Sequence, residues 1–488
     1  MTSILDLPAE LIANIFRHLD NSAIFDTRQA NKHLERASFS FFAKHFFRKK
    51  GYMITTSSLN VLELISKHQG LRTQVQHIWF NPDCYTFTDG SFYPDDGVSE
   101  IYAEQQLSVG ACSKAWRACR EDHQALLCSD LLTQKLERVL RDLPNLQVIG
   151  MRRGEDHNPW GWSKLRSTVG ADPRVLGPIP YEPIDALSGS TYLFIALMRS
   201  IAATGLQLKR LYTDSIEIDY IRPDLLPTET LAKACRSILY IELNATRAWL
   251  SPKYDREYAT HIEPTQYGDG LVKLLGATTQ LRELGLMIFP DRQQSHLVPP
   301  QGRQGFRPLS WQAGYPYIVL EKLSESVQLG QLQHVKLEKL ATSANILTNM
   351  LRPCHERLQS LKLRDIRLVS ENKEDQRPWQ TFFKFLRDDC LKLRYLLLYH
   401  LAYDHGGVRF VEALPPRPPA DPAVPRLETV ANAGDFTDFE NITAEATGRE
   451  AVASKLEQIT DRHWYGKNIF SYDLDEVLWH TDTSDEEW

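Results

Sequence analysis

Histidines, cysteines and carboxylates are the side chains best able to carry chemistry in this 488-residue chain, and their spacing limits what they can do. His355-Glu356-Arg357-Leu358-Gln359 opens as a zinc-protease helix does. Gln359, however, stands where a second imidazole must lie one turn on, so two ligands cannot share a face. Asp473-x-Asp475 starts like a calcium loop, yet Leu478 occupies the position where the sharp turn requires glycine. The chain has no G-x-x-x-x-G-K-[ST] or strand-linked G-x-G-x-x-G to cradle phosphates, and no G-x-S-x-G elbow for a nucleophile. The seven cysteines (Cys84, Cys112, Cys119, Cys128, Cys235, Cys354 and Cys390) include no C-x-x-C pair. Their odd number in a long chain argues against a disulfide framework, and their spacing against a zinc site. The 15 histidines are dispersed. No metal or other cofactor and no catalytic residue is expected. A triad assembled from distant residues is the enzymatic alternative that spacing leaves open.

A stronger chemical signal lies in apolar side chains that could dock on another surface. In LPAELIANIFRHLD, Pro8 suits the first turn of a helix, where its missing N–H would have no partner. At about 100° per residue, Leu11, Ile12, Ile15, Phe16 and Leu19 fall within an arc of about 140°, which Ala9 and Ala13 widen to about 200°. One packing face needs about 100°. The surplus must meet either the rest of the chain or a partner. Asn21 and Ser22 are good N-caps for a second helix, SAIFDTRQANKHL, and a third apolar stretch, FSFFAKHFF, follows a weak break at Ala37–Ser38. Three short helices in some fifty residues have only a marginal core of their own.

This pattern resembles the F-box: Leu7-Pro8, a short helix rich in Leu and Ile, Leu19-Asp20, then Ile24-Phe25, Arg28, Lys32 and Leu34. The resemblance implies that these helices bind a Skp-type adaptor, which bridges to a cullin. Leu7, Pro8, Leu11, Ile15 and Leu19 would be adaptor contacts, with Ile24 and Phe25 supporting or joining them. It departs from the family at Thr27 and Gln29, where apolar residues are more usual. The following SSLNVLELISKHQGLRTQVQHIWFNP is similar to F-box proteins of filamentous fungi, in which a helix and a short strand lead into a repeat region.

The elements that must position a target come from a recurring pattern. ILYIEL begins at Ile238, LRELGL at Leu281, LQHVKL at Leu332, LQSLKL at Leu358 and LRYLLL at Leu393, each apolar at relative positions 1, 4 and 6. In the last four, position 9 is apolar too: Phe289, Leu340, Ile366 and Leu401. Weaker copies start at Val75, Leu146, Leu208 and Leu427. Amphipathic helices precede several of them, as in LLTQKLERVLRDL, ANILTNML and WQTFFKFLRDD. Such a helix–turn–strand unit cannot bury its apolar face alone, whereas stacked units form a parallel sheet backed by helices. The pattern looks like the degenerate leucine-rich repeat of F-box proteins. Its starts are unevenly spaced, and the Asn usual at position 9 is absent from those four copies. An ordinary α/β domain with similar buried strands is the alternative.

The expected fold is therefore α/β: an N-terminal three-helix F-box bundle at 1–50, then an irregular leucine-rich-repeat-like solenoid at 51–434. Pro/Gly-rich insertions at 150–189, 290–317 and 415–425 interrupt the solenoid, and Trp160 and Trp162 in the first are read as loop anchors. An acidic C-terminal cap and tail follows at 435–488. From Gly434 onward there are 14 acidic and 4 basic residues in a chain of net charge −6. This is read as a solvated end, with EAVASKLEQITDRHWYG as a helix, NIFSYDLDEVLWH as a possible docking cap, and Ser484 in an acidic context open to a kinase. No clustered Lys and Arg suggest a nucleic-acid partner, and no dense Arg cluster demands a phosphorylated target. MTSILDLPAEL has no secretory pattern, and YLFIALM at Tyr192–Met198 is too short to span a bilayer, so a reducing compartment, cytoplasmic and/or nuclear, is expected.

The function expected is substrate recognition for an SCF-type cullin ubiquitin ligase. The F-box would bind the adaptor, and the repeats an unidentified protein target. The alternative is an F-box-containing scaffold without a ubiquitin role.

Overall fold

The structure, a computed structural model, describes residues 4–82, 109–127, 129–152, 158–169, 189–214, 216–246, 268–289, 310–369, 378–403, 406–410 and 443–467. Cys84, Cys128, residues 170–188 and 290–309, the 415–425 insertion, the copy at Leu427, Asp473-x-Asp475, NIFSYDLDEVLWH and Ser484 lie outside the described residues. The chain divides into two compact units, Met1–Asp214 and Ser215–Trp488, a boundary inside the stretch read from sequence as one domain.

The first unit opens with helices α1 (Ala9–Phe16), α2 (Asn21–Ala30), α3 (Lys32–Ala37) and α4 (Phe39–Phe47). Four segments replace the three expected, because the second breaks at Asn31. That residue turns extended, and its side chain accepts the His33 N–H at 2.7 Å to cap α3. The cap of α2 is Asp20, one residue ahead of the two expected, with Oδ1 2.8 Å from the Ala23 nitrogen.

Strands β1 (Lys49–Met53), β2 (His77–Asn81), β3 (Val148–Met151) and β4 (Arg210–Tyr212) follow as a parallel series. Between them lie α5 (Thr56–Lys67), α6 (Gln69–Arg72), α7 (Val109–Leu127), α8 (Leu131–Arg141), α9 (Trp162–Val169) and α10 (Gly189–Thr204). On α8, Leu132, Leu136, Val139 and Leu140 make one buried stripe. The YLFIALM run falls in α10, whose residues Leu193–Met198 are all buried, so the apolar run is a core helix. Among the described residues no helix is long and apolar enough to cross a membrane.

The second unit contains β5 (Ile216–Glu217), α11 (Thr228–Cys235), β6 (Tyr240–Thr246), α12 (Asp269–Gly276), β7 (Glu283–Phe289), α13 (Ser310–Ser326), β8 (His334–Thr342), α14 (Ala344–Leu351), β9 (Ser360–Leu368), α15 (Pro378–Asp388) and β10 (Tyr395–Tyr399). Strands β6 to β10 run parallel in chain order. Helix α13 begins inside the segment expected to be irregular. Then come β11 (Ala402–Tyr403), β12 (Gly406–Phe410), β13 (Thr443–Thr447), α16 (Arg449–Arg462) and β14 (His463–Lys467). β13 pairs antiparallel with β10, and β14 with β12. The C-terminal helix thus stops at Arg462, and HWYGK, expected to continue it, is a strand.

All eight described copies of the pattern become strands, and each strand starts at position 3 of its copy: 77, 148, 210, 240, 283, 334, 360 and 395. Within each unit the pairing keeps these residues opposite one another, as in Tyr240↔Glu283↔His334↔Ser360↔Tyr395. Positions 1, 4 and 6 point into the core and are buried throughout, from Val75, Ile78 and Phe80 to Leu393, Leu396 and Leu398. Period-2 alternation accounts for 4 and 6 but would put 8, not 9, inside.

Backbone conformation resolves the discrepancy. Lys339, Asp365 and His400, all at position 8, have φ of 55°, 54° and 51°. A left-handed residue shifts the alternation by one, so Leu340, Ile366 and Leu401 at position 9 turn inward and are buried. Because β8 and β9 both make the shift, their pairing resumes at Leu340↔Ile366 without loss of register. In these three copies the apolar position 9 therefore follows from the kink, whereas β7 has no such residue and keeps the plain alternation, with Ile288 buried at position 8. Since β-branched residues tolerate this region worst, Lys339→Val is expected to unfold about 1–2 kcal/mol more easily than Lys339→Gly. Equal denaturant stabilities for the two variants would show that the kink carries no strain.

Candidate docking surface

The N-terminal helices divide their wide apolar arc between two tasks. Ile12, Phe16, Ile24 and Leu34 are enclosed, with Leu7, Leu19, Ala37, Phe41, Phe42 and Phe46 packed around them. Leu11 and Ile15, at the other edge of the α1 arc, are 49% and 37% exposed. Leu19, between the two groups in angle, is half-buried beyond the helix end. The arc of about 140° is thus split into a core side and an outward side.

Seven residues were expected to contact the adaptor. Pro8, Leu11, Ile15 and Phe25 are exposed, while Leu7 and Leu19 are half-buried and share the core's rim. Ile24 is fully enclosed, so it supports the surface and does not join it: buried in the N-terminal core, it has no face left to offer. Phe25 is 43% exposed and anchored from beneath, its ring 5.7 Å from Phe42 and 4.9 Å from Phe46. Ile4 and Leu5 are also exposed apolar residues here. Sequence reasoning passed over them because they precede the helix, where periodicity gives no signal.

Arg28 holds the helices together. Its Nη1 donates to the Glu35 carbonyl and the Ser38 hydroxyl, both at 2.9 Å, and its guanidinium lies 3.9 Å from the centre of the Phe42 ring. The buried Ser38 hydroxyl in turn donates to the Leu34 carbonyl at 2.6 Å. Through these bonds α2, α3 and α4 form a fixed base that presents Phe25. Lys32, the other basic residue of the pattern, is exposed.

Immediately after α4 comes β1, a strand the sequence did not reveal. Its frame would be Phe47-Arg48-Lys49-Lys50-Gly51-Tyr52, and Lys50 at position 4 breaks the apolar pattern. Phe47 and Trp160 flank the Lys50 ammonium at 6.0 and 5.4 Å, and burial lowers its pKa. The two tryptophans expected to anchor their loop differ. Trp162 is buried, whereas Trp160 lies along β1, bonded through its backbone to Gly51 and Met53, and remains 43% exposed.

Elsewhere the chemistry-bearing residues are occupied structurally. His355 follows a single 3-10 turn and bonds the Arg352 carbonyl through Nδ1 at 2.7 Å, so no metal-binding helix forms there. Burial pushes the thiols of Cys235, Cys354 and Cys390 up to about 12, which leaves them protonated at neutral pH. Among the described residues no group of three or more His, Cys, Asp or Glu could hold a metal ion. Comparison with models of known families and with curated proteins finds no match to this chain.

Proposed function

We propose that the chain is the substrate-recognition subunit of an SCF-type cullin ubiquitin ligase, its N-terminal helices being an F-box. The observation that carries this reading is the outward placement of Leu11, Ile15 and Phe25 on a core closed by Ile12, Phe16, Ile24 and Leu34. Side chains of this size are costly to leave in water, at roughly 1.5–3 kcal/mol each, and a partner that covers them recovers that energy. The resemblance of the residue pattern to the F-box implies the partner class: a Skp-type adaptor and, through it, a cullin.

The register-constant strands support reading the remainder as a degenerate leucine-rich-repeat solenoid, whose open sheet face and long inter-strand segments would hold a protein target. In this role the chain needs no catalytic residue. Proximity and orientation are its contribution, and transfer chemistry belongs to the other subunits.

The test is reconstitution. Purified full chain is mixed with a Skp-type adaptor and a cullin, and the complexes are separated by size. Co-elution of all three supports the receptor reading. Co-elution with adaptor but never with cullin points to a scaffold, and failure to bind adaptor sinks the proposal.

A further inference from the structure

Residues distant in sequence meet in the first unit because its strands share one register. Lys49, His77, Val148 and Arg210 form a row across β1 to β4, each at position 3, so His77 stands between Lys49 on β1 and Val148 on β3. The half-buried His77 imidazole is tied to the strand two places away. Its Nε2 lies 2.8 Å from the Tyr212 hydroxyl on β4, and the two rings meet edge to face at 5.6 Å. Tyr212 crosses β3 to make this contact because Gly150 leaves room beneath its ring. A Cβ added at Gly150 would fall inside that ring, so only glycine permits the arrangement.

Among the described residues, the charged groups that act on His77 are Lys49 from β1, Arg210 from β4 and Arg152 just beyond β3, all of them cations. Arg152 also holds its guanidinium 4.7 Å from the centre of the Tyr212 ring. Burial first, then repulsion from Lys49, Arg210 and Arg152, drives His77 down to about 3, so its imidazole is neutral at physiological pH. A protonated imidazole could still bond Tyr212, because the hydroxyl accepts as readily as it donates. Desolvation and the surrounding cations therefore oppose the charged form, and loss of that bond does not.

We propose that His77, Gly150 and Tyr212 form an acid-sensitive latch: the neutral imidazole holds Tyr212 across β3, and its protonation loosens the sheet from β2 to β4. With the sheet closed, the imidazole refuses a proton until about pH 3, whereas with the sheet open it takes one near its ordinary 6.5. The latch therefore holds fully above about pH 6.5. Below that, the opening equilibrium rises about tenfold per pH unit until the pH approaches 3. Between pH 7.5 and 5.5 this one residue raises it about tenfold. The latch does not rest on the receptor reading, so it is measured on the chain alone.

The experiment is hydrogen exchange of the purified full chain, read by mass spectrometry at pH 7.5 and 5.5 and corrected for the intrinsic pH dependence of exchange. The reporters are the Lys209 and Arg210 amides, which donate to the Gln147 carbonyl at 2.9 and 3.1 Å. Their protection is expected to fall about tenfold at the lower pH, while that of β9 in the second unit stays nearly unchanged. His77→Gln keeps a neutral polar side chain and should remove most of the fall. If circular dichroism shows that this variant does not fold, Lys49→Gln, at an exposed position, replaces it. With one cation gone, the fall should shrink. The latch is overturned by constant protection in the wild-type chain, by an equal fall at β9, or by a fall that persists undiminished in the folded variant.

Discussion

Leu11→Ala together with Ile15→Ala is expected to weaken adaptor capture by about a hundredfold, with the unfolding midpoint of the chain nearly unchanged. Each truncation removes part of an apolar side chain that the adaptor would cover, and together they forfeit about 3 kcal/mol of binding, about two powers of ten. The folded chain loses little, because both side chains are substantially exposed. The contrast lies one residue along in each case. Ile12→Ala and Phe16→Ala open cavities in an enclosed core and should cost about 2–5 kcal/mol of stability. Adaptor affinity measured by biolayer interferometry, beside thermal melting of the same samples, separates the two effects. If the Leu11/Ile15 variant binds like wild type, the outward apolar edge is not the adaptor contact.

A second large effect is expected in the other unit. Trp379 is fully buried, its ring stacked 5.6 Å from Phe383 and edge-on to Phe382 at 6.0 Å, with Nε1 donating to the Ala402 carbonyl at 2.8 Å. Trp379→Ala removes the ring and its hydrogen bond to that buried carbonyl. A loss of about 3–5 kcal/mol is expected from the cavity, with roughly 1 more from the lost hydrogen bond. Against a total of about 5–15 kcal/mol, this brings the unit close to unfolding at body temperature. Trp379→Phe keeps most of the ring and should retain more than half of the lost stability. Urea denaturation followed by hydrogen exchange at β11 checks both values. A midpoint within experimental error of wild type for Trp379→Ala would refute the packing role.

Much of this architecture was legible in the sequence because burial leaves a strong imprint. Positions 1, 4 and 6 of eight copies read correctly as strands, since each supplies three enclosed side chains in a fixed frame. The N-terminal arc was legible as too wide for one face, but periodicity could not assign its edges. Leu11 and Ile12 are equally apolar, and only the packing of α3 and α4 decides which of them turns inward. The break at Asn31 and the cap at Asp20 depend on single side-chain bonds that compete with helix continuation. β1 was hidden by Lys50, a charged residue at an apolar position, whose ammonium lies near the Phe47 and Trp160 rings. The kinks at Lys339, Asp365 and His400 were invisible because none of them is the glycine that normally marks a left-handed backbone.

The constant starting point of the strands has an evolutionary consequence. Partners in the sheet are offset by as few as 26 residues, between His334 and Ser360, and as many as 71, between His77 and Val148. The ladder is indifferent to what intervenes, and doubling the length of a connecting stretch costs only about 0.6 kcal/mol in closure entropy. Intervening stretches can therefore lengthen, shrink or be exchanged between relatives one at a time, while the frame that carries them and the helices at its N-terminus stay intact. Such a molecule can acquire a new surface by local insertion, without having to evolve a new fold.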